Sequence, residues 1–442
     1  MLHPCRLSAI TAILNRSHRL FFSYRILLYL LGFTILTLGI GCTQSPSSSD
    51  ASPESAVDSS ITALSEDADA TNTYLERLLA ESWDAYRQRF IQSDGRVIDW
   101  ESNSRTVSEG QAYAMLRAVL IDDPETFERT LQWAEDNLKR PPQPNDADGE
   151  DYLWAWKWGE RLDGTWGIQD NNFASDADID AIHALIWAAR RWDRSDYLEL
   201  AHKKLADLWA QSVVTLPAND PTSTRHYLLP GPLNAFQPEP GKVYINPSYL
   251  APYAFRMFAE VDPDPDHDWQ ALVDSSYEIL DQTQALSQKG LPGDWVILEL
   301  ATQTIQLSPD GAALQSHYGF DAYRVWWRIA WDAAIFEERR AEQFLSNHLH
   351  YLQELWQADE QIPAVMKLSG QALSEYEATA QYAMLYPAFQ IFEPEIAGAI
   401  LQQKLLPSYQ QGIWDNPDAY YVQNLAWFGL FPINNIPLIL MK

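Results

Sequence analysis

Three groups of carboxylates lie at spacings that could do proton chemistry. The first is Glu109, in SEGQAYAML (residues 108–116). Ser108 followed by Gln111 has the form of a capping box, which predicts a helix start and puts Glu109 in the first turn. An acid there also has a plainer use, complementing the helix dipole. The second group is Asp176, Asp178 and Asp180, in ASDADID (174–180). A calcium loop is excluded, because Ala181 stands where such a loop needs Gly and Trp187 where it needs a bidentate Glu. An acidic helix cap would need only one of the three. His183 reads as a packed helix residue, since no second His lies at ligand spacing. The third is Asp321, in FDAYRVWWRIAWD (320–332). Arg324, three residues on, can pair with Asp321 on one helix face and hold it ionised. On a wet surface that pair would contribute only about 0.3–0.5 kcal/mol. Trp326, Trp327 and Trp331 argue against a solvated face.

The elements that must carry these groups are helices. From Thr73 onward, apolar residues recur at helical spacing in segment after segment. The segments are 74–90, 112–120, 127–138, 178–192, 195–213, 248–260, 268–284, 322–338, 341–357, 374–391, 394–405 and 419–430. No βαβ rhythm or run of alternating strands competes. Twelve segments over 73–442 fit six helical hairpins closed into a ring, an all-α (α/α)6 barrel. A two-domain helical protein would read alike. Two long irregular stretches, 141–175 and 214–247, are rich in Pro, Gly, Asp and Trp, and loops of that length are commonly functional.

The clusters together resemble glycoside hydrolase family 8, the inverting bacterial endo-β-1,4-glucanases. SEGQAYAM corresponds to the family segment that carries the general acid. Ala174-Ser175-Asp176-Ala177-Asp178, with Trp192 beyond, matches its signature around an active-site Asp. Asp321-Ala322-Tyr323-Arg324 matches the front of the segment carrying the general base. Asn246-Pro247-Ser248-Tyr249 and Asp294-Trp295 follow in family order. Ala112 and Ala114 replace favoured glycines, and Trp326 replaces a proline. The resemblance covers roughly residues 73–430. It implies Glu109 as general acid, Asp321 as general base, and Asp176 as the group that grips the sugar beside the cleaved bond. It implies Tyr249 as a partner in ordering the attacking water. For Glu109 to stay protonated, burial and a nearby anion, Asp176, must outweigh the helix dipole. Trp154, Trp156, Trp158 and Trp166 precede the second cluster, and glucose-stacking platforms are expected among Trp154, Trp156 and Trp166.

Composition agrees with a neutral polysaccharide as the partner. The chain has 60 Asp and Glu against 31 Lys and Arg, a net charge of −29, so a phosphate backbone would be repelled. Its 18 Trp, 21 Tyr and 16 Phe suit stacking on sugars, and equally a large core. Cys5 and Cys42 are the two cysteines, so the helical body has no disulfide, thiolate nucleophile or Cys-based metal site. No metal or organic cofactor is implied, and a monomer is expected. Same-family hydrolases of chitosan, mixed-linkage glucan or xylan stay open, as does a non-catalytic glycan-binding lipoprotein. Helical-barrel lyases and isoprenoid cyclases share the architecture, but their His and Tyr bases or Asp-rich metal motifs are not evident.

Residues 1–41 read as an export signal. Arg6, Arg16, Arg19 and Arg25 precede the apolar run 26–40, and Gly41-Cys42 resembles a lipoprotein cleavage site. The alternative is an uncleaved signal anchor. Residues 42–72, rich in Ser, Asp, Ala and Pro, read as a flexible tether. The catalytic domain, 73–442, is therefore expected in the periplasm or outside the cell, lipid-anchored through Cys42.

Overall fold

The computed structural model describes residues 68–141, 151–218, 224–309 and 311–441. The signal segment 1–41, Cys42 and most of the tether lie outside the described residues. Thirteen α-helices lie among them: α1 (Ala68–Phe90), α2 (Ser108–Ile121), α3 (Pro124–Asn137), α4 (Ser175–Trp192), α5 (Ser195–Ser212), α6 (Pro252–Val261), α7 (Trp269–Leu286), α8 (Tyr323–Phe336), α9 (Arg339–His348), α10 (His350–Asp359), α11 (Thr379–Phe392), α12 (Pro394–Ile400) and α13 (Tyr420–Leu430). The first begins at Ala68, inside the stretch expected as tether.

Composition sorts these helices into two layers. α2 is buried from Gly110 to Leu120, α4 from Ser175 to Ala188 and α8 from Tyr323 to Ala333. A helix buried on every side must be surrounded by protein. α3 instead buries a single stripe, Phe127, Thr130, Leu131 and Ala134, and leaves the other face wet. The inner helices pack in the order α2, α4, α6, α8, α11, α13 and back to α2. Their outer partners are α3, α5, α7, α9, α12 and α1 respectively. The fold is an (α/α)6 barrel. The outer segment expected over 341–357 is broken at Leu349 into α9 and α10.

α11 and α13 approach closely at one place. Pro387 inside α11 has no N–H to offer the Ala383 carbonyl one turn back. Gly429 of α13 faces that carbonyl, and a Cβ there would stand 2.0 Å from the Ala383 oxygen. Only glycine fits.

Short antiparallel strands fill the loops. β1 (Thr106–Val107), β2 (Lys157–Glu160) and β3 (Trp166–Asp170) form one sheet, with Val107 opposite Lys157 and Glu160 opposite Trp166. β4 (Val213–Pro217) pairs with β5 (Thr224–Leu228). β6 (Lys242–Ile245), β7 (Val296–Glu299) and β8 (Thr304–Leu307) form a second three-stranded sheet. β9 (His317–Tyr318) pairs with β10 (Met366–Lys367). The two long irregular stretches of sequence thus hold strands, too short to show a period of two.

Candidate active site

The residues singled out from sequence sit at one end of the barrel because each opens an inner helix. Glu109 is in the first turn of α2 and Asp176 in the first turn of α4. Asp321 lies in the turn entering α8. Tyr249 closes a short 3-10 turn, Pro247–Tyr249, just before α6. The capping box does not form. Val107 is the N-cap of α2, with no side-chain cap bond. Gln111 is buried and turned elsewhere, accepting from Val97 N–H and donating to the carbonyls of Gly95 and Thr130. The Ser108 N–H donates to the Trp156 carbonyl at 3.1 Å instead, so strand pairing sets the start of α2.

Arg324 ties the carboxylates together. Its Nη1 donates to Glu109 Oε2 at 2.7 Å and to Asp176 Oδ2 at 2.9 Å, and its Nη2 donates to Asp321 Oδ1 at 2.8 Å. The expected partner was Asp321 alone. The guanidinium lies 5.4 Å from the Tyr249 ring centroid and is buried, its side chain 2% exposed. Asp176 is sealed in as well, and its Oδ1 accepts the Ala177 N–H. Asp321 is the most open of the three, 34% exposed against 18% for Glu109.

Three carboxylates around one cation cannot all be charged cheaply in a buried site. Burial raises Glu109 to about 7, and the negative charges of Asp176 and Asp321 add to that rise. Arg324 and a hydrogen bond from Tyr420 pull the other way without winning. Burial also raises Asp176, opposed by Arg324.

Several contacts were not anticipated. Tyr420, the first residue of α13, donates to Glu109 Oε1 at 2.9 Å across 311 residues of sequence. No local pattern could have found it. Tyr113 Oη lies 3.3 Å from Arg324 Nη1, and its place one turn after Glu109 was a signal that helical spacing offered. Trp295 Nε1 donates to Asp321 Oδ2 at 3.1 Å. Its ring stacks on Phe236, centroids 5.8 Å apart, and stands edgewise to Tyr249 at 6.1 Å.

The alternating acids of α4 divide the work. Asp176 faces Arg324, while Asp178 Oδ1 accepts the Trp154 N–H at 3.1 Å and anchors the loop entering β2. Asp180, one turn below Asp176, pairs with Arg328, one turn below Arg324. His183 is packed against Trp187, ring centroids 3.9 Å apart, and burial drives its pKa well below normal. Among the described residues, no group of three or more His, Cys, Asp and Glu is arranged to hold a metal.

The tryptophan expectation needs correction. Trp154 is 1% exposed, with its indole N–H on Glu135 at 2.8 Å and Lys204 4.3 Å above its ring, so it offers no face to a sugar. Trp156 is half-buried and borders the start of α2 through its carbonyl. Trp166, at the end of the β2–β3 pair, is 45% exposed. Arg96 lies 4.6 Å from the ring of Trp158 and 4.8 Å from that of Trp166.

An (α/α)6 barrel with carboxylates and aromatic rings gathered at one end of its inner helices has the build of a glycoside hydrolase. The chain belongs to glycosyl hydrolases family 8, which it matches over residues 55–385. It is 34% identical over 215 residues to an endoglucanase of Pseudomonas fluorescens (strain SBW25), covering 48% of this chain and 50% of that protein. It is 32% identical over 246 residues to an endoglucanase of Xanthomonas axonopodis pv. citri (strain 306), covering 55% and 58%. The chain thus spans between half and three fifths of the length of these two relatives. Among solved structures, the endo-1,4-D-glucanase of Vibrio fischeri ES114 superposes with a TM-score of 0.65 at 26% identity, covering 79% of this chain and 93% of that one.

Proposed function

We propose that this protein is an endo-acting hydrolase of β-1,4-glucan that works by general acid and base catalysis with inversion. The observation that carries the reading is that Glu109 and Asp321 share Arg324 on separate nitrogens, in environments that suit opposite roles. Glu109 is raised to about 7 and can enter the reaction protonated. Asp321 is the more open carboxylate, held by Arg324 and Trp295. Glu109 gives its proton to the glycosidic oxygen as the bond to the anomeric carbon breaks. Water attacks that carbon from the opposite face, and Asp321 takes the proton the water loses. Both carboxyls return to their starting states by exchange with solvent. The buried Asp176 stands beside Glu109, where it maintains the acid's raised pKa and can grip a sugar hydroxyl. The half-exposed Trp166 and the Phe236–Trp295 stack offer apolar faces to glucose rings. The endoglucanase names of the relatives favour a glucan over chitosan or xylan.

Reducing sugar released from carboxymethylcellulose, barley glucan, xylan and chitosan, measured side by side, tests the substrate. Strong preference for chitosan or xylan would overturn the glucan reading. Proton NMR of freshly cleaved product, read before mutarotation, tests the stereochemistry. The α-anomer should appear first, and a β-anomer first would mean retention. The export reading is tested separately. A Cys42→Ser form should leave the detergent phase of an extract if Cys42 carries lipid, whereas continued membrane association would favour an uncleaved anchor.

A further inference from the structure

Asp294 has no part in the acid–base scheme, yet it sits against the turn that presents Asp321. Its backbone N–H donates to the His317 carbonyl at 2.6 Å, fixing it beside β9. Its Oδ1 accepts the Ala322 N–H at 2.8 Å, and the Gly319 N–H also donates to its carboxyl. Gly319 and Ala322 bracket Phe320 and Asp321. The approach is close: a Cβ on Gly319 would stand 2.7 Å from Asp294 Oδ2. Ala322 is the N-cap of α8 and has no capping side chain of its own. Asp294 takes up from 28 residues away the N-cap's own N–H, the group that the N3 side chain of a capping box would accept locally. Its neighbour Trp295 then holds Asp321 Oδ2 through the indole N–H.

We propose that Asp294 is a positioning residue for the general base, locking the 319–322 turn so that Asp321 stays against Trp295 and Arg324. Adjacent residues thereby hold the base from both sides, the Asp294 carboxyl through the backbone N–H groups of the turn and the Trp295 indole through the Asp321 carboxylate. Burial, with Asp321 next to it, pushes the Asp294 carboxyl well above its ordinary range. A protonated carboxyl still offers an acceptor to the backbone, without setting a second full charge beside the base. The inference rests on the reading of Asp321 as base.

The test compares Asp294→Ala, Asp294→Asn, Gly319→Ala and Asp321→Asn in the full chain, on the soluble glucan that the wild type cleaves best. Asp294→Ala should lower kcat by about 10²-fold with KM little changed, because misplacing a reacting group acts on turnover. Asp294→Asn keeps an amide oxygen for Ala322 and should recover most of the turnover. Gly319→Ala pushes on the same carboxyl from the opposite side and should repeat the kcat loss. Thermal melts run alongside, and if Asp294→Ala is unfolded at the assay temperature, Gly319→Ala takes its place. An unchanged kcat, a loss that Asp294→Asn does not recover, or an effect confined to KM would each overturn the proposal. An active Asp321→Asn enzyme would instead sink the assignment of the base, whatever Asp294 does.

Discussion

In its proposed role as general acid, Glu109 has to hold a proton when the glycosidic bond breaks, and its buried surroundings suit that role. Burial lifts its carboxyl to about 7, so it is mostly protonated under mildly acidic conditions. Glu109→Gln keeps the shape but cannot donate, and should cost about 10²–10⁴-fold in turnover on glucan. The defect should shrink on aryl glycosides with good leaving groups, while that of Asp321→Asn should not, because water needs activation in both cases. Equal recovery of the two variants on activated substrates would contradict the division of roles. Tyr420 gives a finer handle. Its hydroxyl donates to the carboxyl of Glu109 and favours the ionised form, so Tyr420→Phe should raise the pKa of Glu109. Activity is lost as pH rises through that pKa, so the alkaline limb of kcat/KM should move to higher pH in the variant. A limb that stays put or moves down would show that this hydrogen bond does not set the acid. The three carboxylates were legible in sequence because each stands in a segment of family form, SEGQAYAM, ASDAD and DAYR, beside a helical run. The hub joining them was only half legible. The i, i+3 spacing showed Arg324 reaching Asp321, but its bonds to Glu109 and Asp176 depend on ring closure that no local spacing encodes.

At the scale of elements, α4 and α8 face each other through a ladder of two Asp–Arg rungs. Asp176 meets Arg324 at the site, and one turn deeper Asp180 meets Arg328. The lower rung is almost fully buried, and Arg328 Nη1 also donates to the Tyr253 hydroxyl. It fixes the rotation of both helices and hence where the upper rung points. Arg328→Met should cost about 3–5 kcal/mol, because Asp180 is left as an uncompensated buried charge. Adding Asp180→Leu should restore much of that loss, since an apolar pair of similar volume avoids the desolvation penalty. Urea unfolding midpoints check both. A double variant no better than the single one would mean that the pair matters for packing and not for charge. The helices themselves were readable from spacing, and misreadings cluster where a side chain serves a distant partner. Gln111 fits a capping box by position but binds three backbone groups outside α2. The helix expected from 248 begins at Pro252, because Pro247–Tyr249 closes a separate 3-10 turn.

Across the whole molecule, charge and burial act together. The chain carries −29, and its self-repulsion grows as carboxyls ionise. Inside, Asp178 anchors the Trp154 loop to α4, and burial raises its carboxyl to about 7 despite Lys204 and the Trp154 N–H. The unfolded chain gives up that proton near pH 4, so from about pH 4 to about pH 7 the folded state holds a proton that the unfolded state has lost. Stability must therefore fall as pH rises through this window, and Glu109 pushes the same way. Asp178→Asn removes the titrating group but keeps an oxygen for the Trp154 N–H. Its stability should decline less with pH than that of the wild type. The global repulsion is nearly common to both proteins, so the difference in slope isolates Asp178. Urea midpoints measured across that window provide the comparison. Parallel slopes would mean that Asp178 is ionised in the folded protein, paired with Lys204 instead of protonated. The loop under Trp154 would then be held by an ionised carboxylate near Lys204, whose contribution does not change across this window.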